Sequence, residues 1–306
     1  TLTTQGAANV KEDIANIISM ISPEETPFMS AIGNSKATQK THEWTQDVLG
    51  AANKDNAAAE GADAADSTLV TPTRLNNQAQ IFTKTVQVSE TFVATNTVGT
   101  KNELARQLMK AGKEIKRDQE AALVSANPSV ASGTRKLGGA EAWIKTNAFH
   151  GSGGSTAGYT AGAVGAVTAG TGRAFTEAMF QTALQAAFNS GGEVKKIIAP
   201  PSLKAKISTF VGGGTKQQMA KDKTIYAGVD VYHGDFGTYD LIPHRYMSST
   251  TVIGFDPDLW NVAVLRGLTK SELGKTGDSS KYQLVTEISL EALNEAGSCK
   301  IADLNG

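Results

Sequence analysis

TKNELARQLMKAGKEIKRDQEAALVSAN, residues 100–127, reads as one long helix, and the rest of the chain is organised around it. Thr100 and Glu103 have the T-x-x-E spacing of a capping box, in which two orphan N–H groups of the first turn are satisfied reciprocally. Leu104, Leu108, Ile115 and Ala122 fall on one face, with Ala105, Met109 and Leu123 on its shoulder. Arg106, Lys110, Lys113, Lys116, Arg117 and Glu120 fill most of the remainder. Pro128 sets the stop, because the residue before a proline is pushed out of the α region. Such a helix is about 40 Å long, more than one small core can cover.

Upstream of it lie two segments that suit docking on another surface. After a polar leader, Val10, Ile14, Ile17, Ile18 and Ile21 make the apolar side of a short helix that Asn9 and Glu12 can cap. Pro23 and Pro27 break it, and an extended arm follows with Phe28 as its anchor. Residues 41–49 (THEWTQDVL) and 78–88 (QAQIFTKTVQV) read as strands. Between them, Gly50 to Asp66 is rich in Ala, Asp and Asn and holds no large apolar residue. The two strands with this soft tip form an extended hairpin, and an isolated hairpin is marginal in water. It therefore needs a surface to lie on.

Downstream, residues 133–172 carry the turn Leu137-Gly-Gly, an apolar anchor at Trp143 and Ile144, and a Gly/Ala/Ser/Thr run from Gly151 to Gly172 that reads as a flexible loop. The pattern then becomes compact. A helix is predicted over 175–188, with Phe180, Leu184, Ala187 and Phe188 inward, then a strand over 194–199 and a helix over 202–211. Strands follow over 228–233, 238–243, 251–255, 261–265, 283–294 and 298–303. Grouped helices and grouped strands, without βαβ alternation, argue an α+β fold.

The totals agree. A length of 306 residues suggests about two domains. Hydrophobic residues make up 40%, enough for cores, while 31 glycines suit long excursions. A net charge of -1 lacks the basic balance of a sequence-reading nucleic-acid protein. The single Cys299 excludes an intrachain disulfide and any cysteine-built zinc site, and reads as a buried thiol near a strand. No run approaches the apolar length of a membrane span, and no secretory signal is present, so a protein made and used in the cytosol fits.

Catalytic chemistry finds little support. His150-Gly-Ser-Gly-Gly loosely resembles an esterase glycine loop, but a nucleophile elbow needs G-x-S-x-G between strand and helix, and Ala157 stands where the glycine after Ser155 is required. No Gly-Lys-Ser/Thr follows to make a phosphate loop. His42, His150, His233 and His244 have no zinc spacing. Glu287 and Glu291 share a strand face, which reads as a solvated or inter-subunit surface. No catalytic, cofactor-binding or metal residue is expected.

The ordered set Ile21-Ser-Pro, Thr26-Pro-Phe28, Glu43-Trp44 with Asp47 and Leu49, Glu103-Leu-Ala-Arg-Gln-Leu, Glu114-Ile-Lys-Arg-Asp-Gln-Glu120, Leu137-Gly-Gly and Thr286-Glu-Ile-Ser-Leu-Glu291 resembles the major capsid proteins of tailed phages related to SU10, which have the HK97-like fold. The resemblance runs from about Asn9 to the C-terminus. It implies an N-terminal arm over 1–36, an E-loop hairpin over 37–88, a peripheral domain with the spine helix over 89–174, an axial domain over 175–261, and strands over 262–306 that rejoin the peripheral domain. It implies assembly into pentamers and hexamers that close an icosahedral head around double-stranded DNA. Portal, scaffold and decoration proteins are further partners, and the site is the virion, assembled in the host cytoplasm. Ile18, Phe28, Trp44, Asp47, Ile81, Phe82, Arg106 and Arg117 are then the expected inter-subunit contacts. Lys54 and Asn294 match no crosslinking motif, so no covalent joining is expected. A nanocompartment shell of the same fold, a Gly/Ser-rich hydrolase and a monomeric α+β binding module are the competing readings. The last predicts that Trp44 is buried within its own chain.

Overall fold

The computed structural model describes residues 25–61, 63, 71–95, 103–210, 230–275 and 277–305. The helix expected over residues 10–21 and the Thr100 cap lie outside them. The described chain opens with one helical turn, α1 (Pro27–Ala31), which has Pro at its start where a missing N–H costs nothing. Then come β1 (Gly33–Lys36), β2 (Thr41–Gln46), β3 (Thr73–Gln78), β4 (Gln80–Ser89) and the short α2 (Glu90–Ala94), which the Ser89 hydroxyl caps. The long helix is α3 (Glu103–Leu123), followed by α4 (Ala140–Trp143). Six two-residue strands come next: β5 (Ala148–Phe149), β6 (Ser155–Thr156), β7 (Tyr159–Thr160), β8 (Ala163–Val164), β9 (Val167–Thr168) and β10 (Arg173–Ala174). The compact region holds α5 (Glu177–Asn189), β11 (Lys196–Ala199), α6 (Pro201–Ile207), β12 (Val231–Gly234), β13 (Gly237–Pro243) and β14 (Val252–Phe255). The chain closes with two long strands, β15 (Trp260–Glu272) and β16 (Ser279–Ala292), and two short ones, β17 (Cys299–Ile301) and β18 (Leu304–Asn305).

Among the described residues, two larger sheets and two cores result, beside four two-stranded ladders. A four-stranded sheet has the order β1-β15-β16-β4, with α3 packed against it. Its core gathers Phe28, Trp44, Leu75, Phe82, Ile115, Leu123, Trp143, Trp260 and Leu290. A six-stranded mixed sheet has the order β12-β13-β11-β14-β17-β5, and α5 and α6 help to bury its core of Phe175, Phe180, Leu184, Ile197, Leu203, Leu241 and Ile301. This mixture of helices with largely antiparallel sheets is the expected α+β class.

Several expectations need correction. The hairpin's return strand is β3, not residues 78–88: Trp44 pairs with Leu75, and β4 leaves the hairpin to pair with β16 along its whole length. Asn, Gln and Arg made Thr73–Gln78 look like loop, since strand propensity counts Asn as unfavourable. Its Asn77 is fully buried because its amide is satisfied on all sides: Nδ2 donates to Gly138 O (3.0 Å) and Leu290 O (2.8 Å), and Oδ1 accepts from Gly138 N (2.8 Å).

The long helix is shorter than expected, and its buried face takes in the expected Ile115, Ala122 and Leu123 but extends to Gln119 and Glu120. Its 21 residues span about 32 Å. Ala111, Ile115, Gln119, Glu120, Ala122 and Leu123 are buried, Leu104 and Leu108 only half-buried, and Met109 and Ala105 exposed. It ends at Leu123, before the proline, because Ser125–Asn127 turn to meet the Gly138–Gly139 pair: Gly139 N donates to Asn127 O, and a Cβ on Gly139 would stand 2.2 Å from Ser125 O. Glu120, placed on the charged face by the sequence, is fully buried.

The Gly151–Gly172 run is no free loop. β6 pairs with β9, β7 with β8 inside them, and β10 runs parallel to β18. Val164 is buried beneath this nested arch. The predicted domain limits shift likewise. β1 belongs to the four-stranded sheet, whereas β17 enters the six-stranded one and β18 pairs with β10, so residues 299–305 do not rejoin the long-helix domain. Phe188, expected inward, is 53% exposed at the end of α5.

Candidate assembly surfaces

The hairpin has a locked root and a bare tip. At the root, Trp44 Nε1 donates to Ala292 O at 2.8 Å, and the ring lies 5.5 Å from that of Trp143, which stacks in turn on Tyr159. His42 Nε2 stands 3.5 Å from Glu291 Oε2, and the Ser35 hydroxyl donates to the same oxygen. With His42 beside it, the Glu291 carboxyl is held below the usual range, burial opposing. Glu287 accepts from Arg135 (2.6 Å) and Arg266 (3.0 Å). Both glutamates are buried in their own chain, which corrects their expected place on a solvated or inter-subunit face.

At the tip the opposite holds. Residues 47–61 are exposed throughout, and Leu49 is 98% exposed. Val48 beside it is exposed as well. Asp47 spends its carboxylate on the Val48 N–H at 2.9 Å. Two adjacent apolar side chains thus stay uncovered by either core of their own chain.

The expected contact residues divide accordingly. Phe28, Trp44 and Phe82 are buried in the first core, so their burial is spent inside the chain and they offer no surface to a neighbour. Phe28 packs edge-on against Phe255 and Trp260, with centroid separations of 4.9 and 6.2 Å. Ile81 is exposed, beside Thr83 and Thr85 on the open face of β4. Arg106 is half-buried and paired with Glu103, and the Arg117 guanidinium lies 5.4 Å from the Tyr246 ring centroid. Ile18 lies outside the described residues. Sequence reasoning missed Val48, next to Leu49 at the end of the expected strand, and Leu268 and Phe236, single apolar residues inside polar stretches. Phe236 meets Phe188 at 5.4 Å on the surface of the compact region.

The His150 loop has a structural task. His150 Nε2 lies 2.8 Å from Thr156 Oγ1, and Nδ1 lies 3.3 Å from Asp303. That connectivity is triad-like, yet each member is occupied elsewhere. Lys300 Nζ donates to the same Thr156 oxygen and to Glu141 O, while Asp303 accepts from Gly151 N (3.0 Å) and Gly170 N (2.8 Å). Burial pushes the His150 imidazole below its ordinary range and the Lys300 ammonium down to about 8. Ser152 and Ser155 are exposed, and both ring nitrogens of His150 are engaged by other residues. Among the described residues no cluster of three or more His, Cys, Asp or Glu side chains is placed to hold a metal, and no helix is long and apolar enough to cross a membrane.

A two-core α+β body carrying a hairpin with an unfilled apolar tip is the build of an HK97-like shell subunit. A family model, the SU10 major capsid protein, matches residues 1–305, and the chain belongs to that family. It is 30% identical over 332 residues to the major capsid protein of Escherichia phage Phieco32, covering 94% of this chain and 92% of that one. Its fold is similar to the capsid asymmetric unit of cyanophage A-1(L), with a TM-score of 0.68 at 15% identity over the full length of both chains. It is similar also to a chain of Mycobacterium phage Adephagia, with a TM-score of 0.66 at 12% identity over 100% and 99% of the two chains. The protein is thus a phage major capsid protein, a structural component of the virion built from many copies. Trp44 is buried within its own chain, as the monomer reading expects; the family match and the capsid relatives, not Trp44, decide against that reading.

Proposed function

We propose that the chain assembles into pentamers and hexamers that close an icosahedral head around double-stranded DNA, in the host cytoplasm. A portal complex and scaffold or decoration proteins are its further partners. In this reading the β2–β3 hairpin reaches over a neighbouring copy, the open face of β4 around Ile81 receives part of such a contact, and the six-stranded unit gathers at the symmetry axes. The single observation that carries it is Leu49, almost wholly exposed on an arm whose base is fixed in the core. An apolar side chain of that size gains on the order of 1.5–3 kcal/mol when covered, and the gain repeats at every copy of the contact. Rings of heterologous contacts that close are the geometry such reaching arms serve.

Negative-stain electron microscopy of the purified chain, beside its light-scattering mass, tests the reading. Closed shells, tubes or ring-shaped capsomers are expected, and a monomer at every salt and protein concentration would overturn it. The double substitution Val48→Ser and Leu49→Ser is expected to change the stability of the single chain by less than about 0.5 kcal/mol, as exposed sites do, while sharply reducing shell yield.

A further inference from the structure

The Glu120 carboxylate joins three distant parts of the chain. Oε1 accepts from Phe28 N at 2.7 Å and Oε2 from Met29 N at 2.9 Å. Oε1 also lies 2.8 Å from His244 Nε2. On the far side of that ring, Nδ1 receives the Tyr246 and Met247 N–H groups at 3.2 and 3.1 Å. An imidazole whose Nδ1 accepts carries its proton on Nε2, so the geometry describes a neutral His244 donating to an ionised Glu120. Both side chains are fully enclosed. His244 N donates in turn to Ala199 O at the end of β11. The contact therefore runs from the strap before β1, across α3, to the six-stranded sheet.

Burying a carboxylate is costly unless every oxygen is hydrogen-bonded. Apolar packing is already supplied here, since Phe28 rests on Phe255 and Trp260. What the carboxylate adds is direction. Successive N–H groups held on the two oxygens of one carboxylate fix where the strap sits and how its first turn is oriented.

We infer that Glu120 and His244 form an acid-labile latch that holds the strap Thr26–Ile32, the root of the N-terminal segment, against the junction of the two cores. One added proton opens it from either side. On His244 the proton sets an N–H against the two N–H groups that Nδ1 now accepts. On Glu120 it removes a charge and an acceptor from three converging donors. The charged and titratable groups next to these residues in sequence are Arg117 and Asp118 on α3, with the Arg117 guanidinium over the Tyr246 ring, Arg245 and Tyr246 after His244, and Glu25 ahead of the strap; Asp256, next to Phe255, is paired with Lys195, and Thr26–Ile32 itself contributes none. Once opened, the strap itself is free to leave the junction. Its use in a shell rests on the assembly reading above, whereas the latch rests on its own geometry.

Hydrogen exchange of the full chain, followed from about pH 7.5 to about pH 4.5, covers the span over which imidazoles and carboxylates take up protons. After correction for intrinsic exchange, protection of residues 28–32 is expected to fall by about tenfold or more while β14 stays protected. Glu120→Gln is expected to lower that protection at neutral pH and to remove the step. His244→Gln keeps a donor toward Glu120 and an acceptor toward the two N–H groups, so it is expected to retain protection at neutral pH and to move the step to lower pH. A step of unchanged size in Glu120→Gln, or an unshifted step in His244→Gln, would overturn the latch. So would a strap in the unaltered chain that shows no step, or that loses protection only together with β14. If Glu120→Gln does not fold, His244→Gln decides alone. Failure of the unaltered chain to form particles on grids would count against the assembly reading and leave the latch standing.

Discussion

Residues 47–61 and residues 151–172 are made of similar material: small and polar side chains, several glycines or alanines, and little that could build a core. The first stretch is exposed from end to end. The second folds into nested ladders, with its own Val164 buried, two buried side chains from far along the chain, Asp303 and Lys300, fastened into it, and the neighbouring His150 bonded to Thr156. Composition is therefore a poor guide to order in such segments. What separates them is whether distant parts of the chain present fixed hydrogen-bond partners to their backbone. The arch receives a carboxylate on two of its glycine N–H groups, while the tip carries local turn contacts of its own, Asp47 to Val48 and Asn53 to Asp55.

The sharpest way to break the contrast is at the hairpin's root. Trp44→Ala removes a buried indole, its bond to Ala292 O and its contact with Trp143. A loss of about 4 kcal/mol is expected in urea unfolding, the range for a buried Trp cut to Ala. A loss below about 1 kcal/mol would mean that the root is no more fixed than the tip.

Next comes the arch. Asp303→Ala leaves the Gly151 and Gly170 N–H groups without their acceptor, and it places alanine at a φ of 59°. A loss of about 3 kcal/mol is expected, with faster hydrogen exchange confined to residues 151–172. Asp303→Asn, which tolerates that backbone and keeps one acceptor, is expected to cost less. If exchange across the arch is unchanged in Asp303→Ala, the arch is held by something other than its polar anchors.

The smallest effect is a pH dependence. Burial lowers the Lys300 ammonium to about 8 from an ordinary 10.5, so the folded chain binds fewer protons than the unfolded one between those values. Stability should therefore rise with pH from about 8, by about 1.4 kcal/mol per pH unit at most for one group. The Cys299 thiol, pushed up by burial to about 12 from 9, acts in the opposite sense above pH 9, which confines the clean window to pH 8–9. Lys300→Met is expected to flatten the rise in that window. An unchanged slope would remove Lys300 as a buried anchor of the arch.

Much of this was legible in the chain. The long helix, the α+β class, the strands of the compact region and the existence of a soft-tipped hairpin follow from spacing and turn chemistry, because local backbone preference and apolar periodicity act within a few residues. The errors share one cause. Asn77 on β3, Glu120 on α3, and Glu287 and Glu291 on β16 are polar side chains that the sequence assigns to loop or solvent, and each is buried because a group distant in sequence completes its hydrogen bonds. Phe28, Trp44 and Phe82 were rightly read as side chains that must be covered; their cover is their own core, and Val48 and Leu49 are left outside. The order of residues determined the long helix, most strands of the compact region and the resemblance to a capsid subunit. Which side chains face inward, and which remain for a neighbour, was decided by the tertiary structure, because burial and hydrogen-bond satisfaction depend on partners tens to hundreds of residues away.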